Sequence, residues 1–256
     1  MYIKILGAHN CESPEAKLTS LLIDDVLALD AGALTSSLSF SAQQALEAIL
    51  LTHQHYDHLR DVPAIAMNAL LHETTINVYS TQAVYDALAS YLLNEELYPD
   101  FLNKPAGKPT INFTLMPPHQ SQQIAGYDVL TVPVKHSVPS VGYQITSPDG
   151  KALFYTGDTG PGLAQCWQQV SPQLIIIEVT APNRYEQFAR DKGHLTPSLL
   201  AQELDSFHRL KGYLPQVITV HMNPRQEKEI AAEIAALTGS GDNPIRLAHE
   251  GMIIHL

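Results

Sequence analysis

"AILLTHQHYDHLRD" (residues 48–61) sets three histidines and an aspartate within six residues, directly behind a run of apolar side chains. Ionised carboxylates and imidazoles are costly to desolvate without a partner. A metal ion is one partner that satisfies all of them together. His53, His55, Asp57 and His58 form the pattern H-x-H-x-D-H. The apolar run before it reads as a strand. Pro63 after it suits the first turn of a helix to about residue 72, with Asp61 as the expected cap. A turn between the two lets alternate side chains converge on a rigid base. Imidazole nitrogen and carboxylate oxygen suit Zn²⁺, and also Mn²⁺ or Fe²⁺. A solvated polar loop seldom produces four ligand-type residues at this spacing by chance.

One local cluster cannot fill two metal shells, and three more strand ends offer candidates. His136 follows "VLTVPVK", Asp158 lies in "LFYTGDTG" (153–160), and His221 follows "QVITV". Each alone would be unremarkable. Together, in this order, they make a second shell plausible.

Composition narrows the partners. The chain has 256 residues, 45% of them hydrophobic, as expected of a globular protein with a real core. Its formal charge of −11, from 26 acidic and 15 basic residues, argues against a long nucleic acid as partner. A small anionic substrate remains compatible, because a local metal charge outweighs the global field. Two cysteines, Cys11 and Cys166, imply no disulfide framework and are expected as reduced thiols; a metal role for Cys11 is the minor alternative. No apolar run approaches the roughly 20 residues of a membrane span. The start, "MYIKIL", reads as a strand rather than a signal peptide. A cytoplasmic protein without membrane contact is expected, with residues 1–256 as a single domain and a homodimer allowed for.

Strands are expected at 2–6, 20–29, 47–52 and 76–80, then a helix over 82–93. Residues 94–108, "NEELYPDFLNKPAGK", read as an ordered loop or lid. Further strands are expected at 111–115, 127–134, 141–147, 151–156, 173–179 and 216–220, with short ones near 245–247 and 252–255. Thr196-Pro197 opens a helix to about residue 210. Asn223-Pro224 opens another, with Gln226 placed for a capping box. Clustered strands with helices between some of them suit two sheets packed face to face with helices outside.

The ordered set H-x-H-x-D-H, a later His, G-D-T and a terminal His resembles the metallo-β-lactamase superfamily over nearly the whole chain. The resemblance implies an α/β fold, a four-layer αβ/βα sandwich with two divalent ions at the edge where the sheets meet. Carried over, one ion takes His53, His55 and His136; the other takes Asp57, His58 and His221; Asp158 bridges both. The superfamily's common Gly soon after the last motif His is absent, since the chain reads His58-Leu59-Arg60-Asp61. Di-iron redox members tend to carry a carboxylate where this chain has His55, so a hydrolytic site is expected, with zinc as the metal and Mn or Fe as alternatives. Two ions about 3.5–4 Å apart would lower the pKa of a bridging water toward ~7 and hold it as hydroxide.

Four stretches, "NEELYPDF", "GDTGP", "IIIEVTAPN" and "GHLTPSLLAQEL", resemble the class II cyclic-nucleotide phosphodiesterases. Ribonuclease Z shares a Glu-containing strand end followed by a Gly-His-Ser/Thr segment. Both groups cleave phosphodiesters, so the expected function is hydrolysis of a phosphodiester in a small 3′,5′-cyclic nucleotide by a dimetal-bound hydroxide. The alternative is a carbonyl substrate such as a lactone, thioester or β-lactam. A non-enzymatic sensor is opposed by the complete ligand set, and ribonuclease Z itself by the acidic chain. The resemblance places Glu178 and His194 beside Asp57 in the catalytic set, His194 protonating the leaving alkoxide while Glu178 holds it. The plainer readings are backbone bonding for His194 and pairing with Arg184 for Glu178. Asn183, Arg184, Asn223, Lys192 and Arg225 are candidate substrate contacts. Tyr98 and Phe101 either stack on a base or pack in the core.

Overall fold

The computed structural model describes residues 1–238 and 245–256. The apolar runs become strands because most are buried on both faces, a pattern that leaves no polar side for a surface sheet. The first sheet uses β1 (Tyr2–Gly7), β2 (Ser20–Ile23), β3 (Leu27–Leu29), β4 (Ala48–Leu50), β5 (Ile76–Ser80) and β6 (Ile111–Leu115). The second uses β7 (Ser121–Ile124), β8 (Tyr127–Val134), β9 (Ser140–Thr146), β10 (Ala152–Tyr155), β11 (Leu174–Glu178), β12 (Gln216–Val220) and β13 (Ile245–Leu247). The last strand, β14 (Ile253–His255), returns to the first sheet. The strand orders are β14-β1-β2-β3-β4-β5-β6 and β13-β12-β11-β10-β9-β8-β7.

Each sheet changes character midway. β3 to β6 run parallel, as do β10 to β13, while the remaining neighbours pair antiparallel. Three apolar layers hold the sandwich. Ile5, Leu29, Leu50, Tyr143, Leu153 and Ile176 lie among those that fill the space between the sheets. Ile49, Val62, Ile65, Val84 and Phe101 pack helices onto the outer face of the first sheet. Trp167, Ile175, Leu199, Phe207 and Ile230 do the same for the second. The result is the four-layer αβ/βα sandwich.

Several local expectations need correction. The run 20–29 is a hairpin, broken where Asp24 and Asp25 take φ of 44° and 60°. β7 was unread because "SQQI" is a polar edge strand. The helix from Gln82 stops being regular at Ala87 and continues as a single π-turn over Leu88–Leu92. Asp61 does not cap the helix Val62–Leu71; its carboxylate takes Thr35 N at 2.7 Å and Arg60 Nε at 2.9 Å. Thr196 makes no side-chain cap either, and Asn183 Oδ1 accepts from Ser198 N at 2.8 Å instead. Asn223 Oδ1 closes a turn on Arg225 N at 3.0 Å, so the next helix begins at Glu227 and the Gln226 box does not form.

The segment 94–108 is not a lid over the histidines. Phe101 O accepts from Ile111 N and Thr110 O accepts from Ile76 N, both at 2.9 Å, which fastens this segment to the starts of β5 and β6. His53 lies beyond the end of β4, which runs parallel to β5, hence at the opposite edge. Phe101 is 2% exposed, and Tyr98 packs edge-on against it at 6.1 Å. Packing, rather than base stacking, accounts for both aromatics. Phe101→Ala is expected to cost about 3–5 kcal/mol of stability, Tyr98→Ala less, with substrate KM unchanged in both. Thermal unfolding beside steady-state kinetics checks this; a raised KM at unchanged melting temperature would return the pair to the substrate site.

Candidate metal centre

The parallel strands end at one edge of the sandwich, and their ends carry the titratable residues. The connection after β4 supplies His53 and His55, then turns into the short helix Tyr56–Leu59 that carries Asp57 and His58. Asp158 follows β10, His221 follows β12, and His136 follows the antiparallel β8. Ligands in open sheets gather outside the carboxyl ends of strands for the same topological reason.

Among the described residues, three sets of side chains lie close enough to hold an ion: His53, His55, His136 and Asp158; Asp57, His58 and His221; and Asp158, Glu178, His194 and His221. In the first, His55 Nδ1 lies 3.0 Å from His53 Nε2 and 3.2 Å from His136 Nε2. Asp158 Oδ2 stands 3.7 and 3.9 Å from those two Nε2 atoms. In the second, Asp57 Oδ2 lies 3.2 Å from His221 Nε2 and 3.6 Å from His58 Nε2. Asp158 Oδ1 is 3.3 Å from His58 Nε2, and Oδ2 is 3.4 Å from His221 Nε2. The structure thus brings together all seven residues His53, His55, Asp57, His58, His136, Asp158 and His221.

The nitrogens facing inward are chosen by bonds on the far side of each ring. His58 Nδ1 donates to Asp30 Oδ2 at 2.7 Å, and His136 Nδ1 donates to Gly193 O at 2.8 Å. Thr52 Oγ1 gives its proton to Asp30 and so accepts from His53 Nδ1 at 3.0 Å. Thr180 Oγ1 gives its proton to Glu178 Oε2 at 2.7 Å and so accepts from His221 Nδ1 at 2.9 Å. Each of these four rings thus turns its Nε2 inward. The Nε2 lone pairs of His53 and His136 converge on His55 Nδ1. One proton cannot satisfy that arrangement; one cation can.

Protonation reflects the same crowding. Burial, followed by the nearby His58, pushes His53 well below the usual histidine range. Burial also pulls on His58, but Asp158 and Asp30 overcome it and raise His58 well above that range. Burial raises Asp158, yet His221 and His58 together hold it well below the ordinary carboxylate. Even so, the buried His58 Nε2 and Asp158 Oδ1 have no hydrogen-bond partner. Orphaned polar atoms at this depth, on a donor set of imidazoles and carboxylates, fit a divalent ion.

Glu178 and His194 stand at the rim. Glu178 is fully buried and accepts four bonds: Thr159 N at 3.0 Å, Thr180 Oγ1 at 2.7 Å, Leu195 N at 3.2 Å and His194 Nδ1 at 2.6 Å. The His194 ring stacks on His221 at 5.6 Å and meets His136 edge-on at 5.0 Å. Burial works against a proton on His194, but the Glu178 charge wins and the ring rises to about 9. Gly193 makes this possible: at φ +74° a Cβ there would lie 2.8 Å from His136 Cα.

The proposed substrate contacts fare differently. Arg184 pairs with Glu229 at 3.0 Å and covers Tyr185, not Glu178. Asn183 is occupied at both ends, its N–H donating to Glu233 and its Oδ1 taking Ser198 N, both at 2.8 Å. Lys192 is exposed at the end of its helix. Asn223 and Arg225 line a cavity of 520 Å³ with His9, Cys11 and Glu227 on the His221 side of the centre. Cys11 is exposed and Cys166 buried, both unpaired, and neither joins the His/Asp groups found among the described residues. Asp30, Thr52 and Thr180 were missed by sequence reasoning. Only Asp30 left a signal, closing the apolar run "LALD" as Asp158 closes "LFYTGD".

The β-lactamase superfamily domain matches residues 19–236. Ribonuclease Z of Kineococcus radiotolerans is 21% identical over 80% of this chain and 77% of its own length. A UPF0173 metal-dependent hydrolase of Myxococcus xanthus is 26% identical over 53% of this chain. The chain spans 34% and 46% of the length of the first two curated relatives it matches. Unliganded yeast PDE1 superposes with a TM-score of 0.86 at 17% identity, covering 100% of this chain and 99% of that one. The chain therefore belongs to the metallo-β-lactamase superfamily, and its His/Asp groups are placed to hold metal ions. No helix among the described residues is long and apolar enough to cross a membrane.

Asp30→Asn keeps the shape of the carboxylate but removes the charged acceptor of His58 Nδ1. It is expected to weaken Zn²⁺ binding about 10–100-fold, read by calorimetric titration of chelator-treated protein. Unchanged affinity would reduce Asp30 to a packing role.

Proposed function

We propose that this chain hydrolyses a phosphodiester in a small anionic molecule, a 3′,5′-cyclic nucleotide, with two divalent ions, zinc foremost. The observation that carries the reading is the His194–Glu178 pair at 2.6 Å, set against the rings of His136 and His221. His53, His55 and His136 would hold one ion, Asp57, His58 and His221 the other, with Asp158 between them. Divalent ions there would supply Lewis-acid activation of a water and would neutralise charge on the oxygens of the attacked phosphoryl group.

The chain's own residues do the remainder. A ribose alkoxide is a poor leaving group and needs a proton as it departs. While the new P–O bond forms and the ester P–O bond breaks, His194 Nε2 gives its proton to the departing oxygen. Its Nδ1 stays on Glu178, which orients the ring and stabilises the charged form beforehand. The four bonds on Glu178 keep that carboxylate from moving. The relative named a ribonuclease supports phosphodiester chemistry, while a net charge of −11 supports a small substrate over a long polyanion.

Protein purified without chelator should carry two metal equivalents, and Asp158→Ala should weaken both. Elemental analysis that stays at one or below after adding Zn²⁺ or Mn²⁺ would exclude the dinuclear centre. His194→Ala should keep the metals and lower kcat on a cyclic nucleotide about 10²–10⁴-fold, but less on bis(p-nitrophenyl) phosphate, whose leaving group needs no proton. Glu178→Gln should give a smaller loss in the same direction. Equal losses on both substrates would remove the acid role. Turnover of a lactone, thioester or β-lactam, without any phosphodiester, would replace this function with the carbonyl one.

A further inference from the structure

Two cavities flank the metal centre, and they differ in chemistry. The one on the His221 side is lined mostly by polar residues, Glu12, Glu15 and Glu227 among them. The one on the His136 side, of 810 Å³, is walled by Leu115, Met116, Val138 and four prolines, with Gln82 and Lys135 among its polar residues. Its volume falls within the usual range of ligand sites, about 300–1,000 Å³. It forms where the ends of β5 and β6 face the β8–β9 connection.

This groove is continuous with the centre. Ser137 lines it, and Ser137 Oγ is 3.5 Å from His136 Nε2, the nitrogen that faces His55. Leu115 stays 47% exposed on the wall. Apolar surface left uncovered beside a reactive centre has a ligand as its natural cover. Proline rings are rigid, so closing them on a flat ring costs little ordering.

We infer that the groove beside His136 is the subsite for a flat, largely apolar ring borne by one substituent of the substrate's phosphate, a nucleobase in the reading given above. The inference rests on that reading for the scissile group and adds where the rest of the molecule lies. Val138 and Leu115 then set specificity. The acidic cavity on the other side offers a ring no comparable wall.

Calorimetry on the metal-loaded protein compares phenylphosphonate with methylphosphonate, which share the anion and differ in the ring. The ring should tighten binding about tenfold or more. Val138→Asp, and separately Leu115→Asp on the exposed edge strand, should bring the two ligands close to parity. In parallel, the ratio of kcat/KM for phenyl over methyl p-nitrophenyl phosphate should fall in both variants. Absence of a ring preference in the parent protein, or its survival in both variants, overturns the subsite, as does failure of both phosphonates to bind. A ring preference in binding without turnover of either diester upholds the subsite and removes the phosphodiesterase reading.

Discussion

One buried carboxylate carries much of the architecture. Asp30 is fully buried and accepts from Thr52 N at 2.8 Å, Tyr155 OH at 2.7 Å and His58 Nδ1 at 2.7 Å, with Thr52 Oγ1 at 3.1 Å. Its donors come from the ends of β4 and β10 and from the H-x-H-x-D-H turn. The same ion therefore ties the two sheets together and orients two of the inward-facing histidines, His58 directly and His53 through Thr52. A buried charge of this kind is tolerable only when fully bonded, and removing one donor leaves a costly remainder. That constraint couples the edge of the sandwich to the centre it supports.

The backbone at this edge takes conformations that side chains usually avoid. Asp30 and His221 sit at φ of 55° and 62°. Non-glycine residues in the left-handed region are uncommon and persist where surrounding bonds over-determine them. Here those bonds are visible: Asp30 by its donors, His221 by Thr180 at 2.9 Å. Gly157 meets the same edge from the other sheet, where a Cβ would lie 2.7 Å from the Thr52 side chain. The two sheets can approach this closely only because that position has no side chain.

How far the sequence could be read depended on where each signal was stored. Strands β6, β8 and β12 were legible to the residue, since apolar runs bounded by turn residues have one low-energy arrangement. His53, His55, Asp57 and His58 were legible from their spacing, whereas His136, Asp158 and His221, each unremarkable alone, were legible only from their order along the chain and the resemblance it carries. Helix caps were not. Asn183, chosen as a substrate contact, spends its side chain on Ser198, fifteen residues away in sequence. Phe101 and Tyr98 looked like a base platform from their place in a long loop, yet which edge of a sheet a loop covers depends on strand direction. Thr52 and Thr180 were invisible, because a threonine that accepts a hydrogen bond from a histidine and donates one to a carboxylate carries no mark in its neighbours.

The two threonines explain why the centre has two halves of equal design. Thr52 lies between His53 and Asp30; Thr180 lies between His221 and Glu178. In each case the carboxylate also holds a second histidine directly, His58 on Asp30 and His194 on Glu178. The first carboxylate thus fixes two rings that both face the cluster. The second fixes one ring in the cluster, His221, and one at its rim, His194. The difference lies in position, not in bonding. His58 is sealed at 0% side-chain exposure, whereas His194 keeps 16%. That one open edge on His194 is what the proton transfer proposed for it requires, while the enclosure of His58 suits a ring that only holds still.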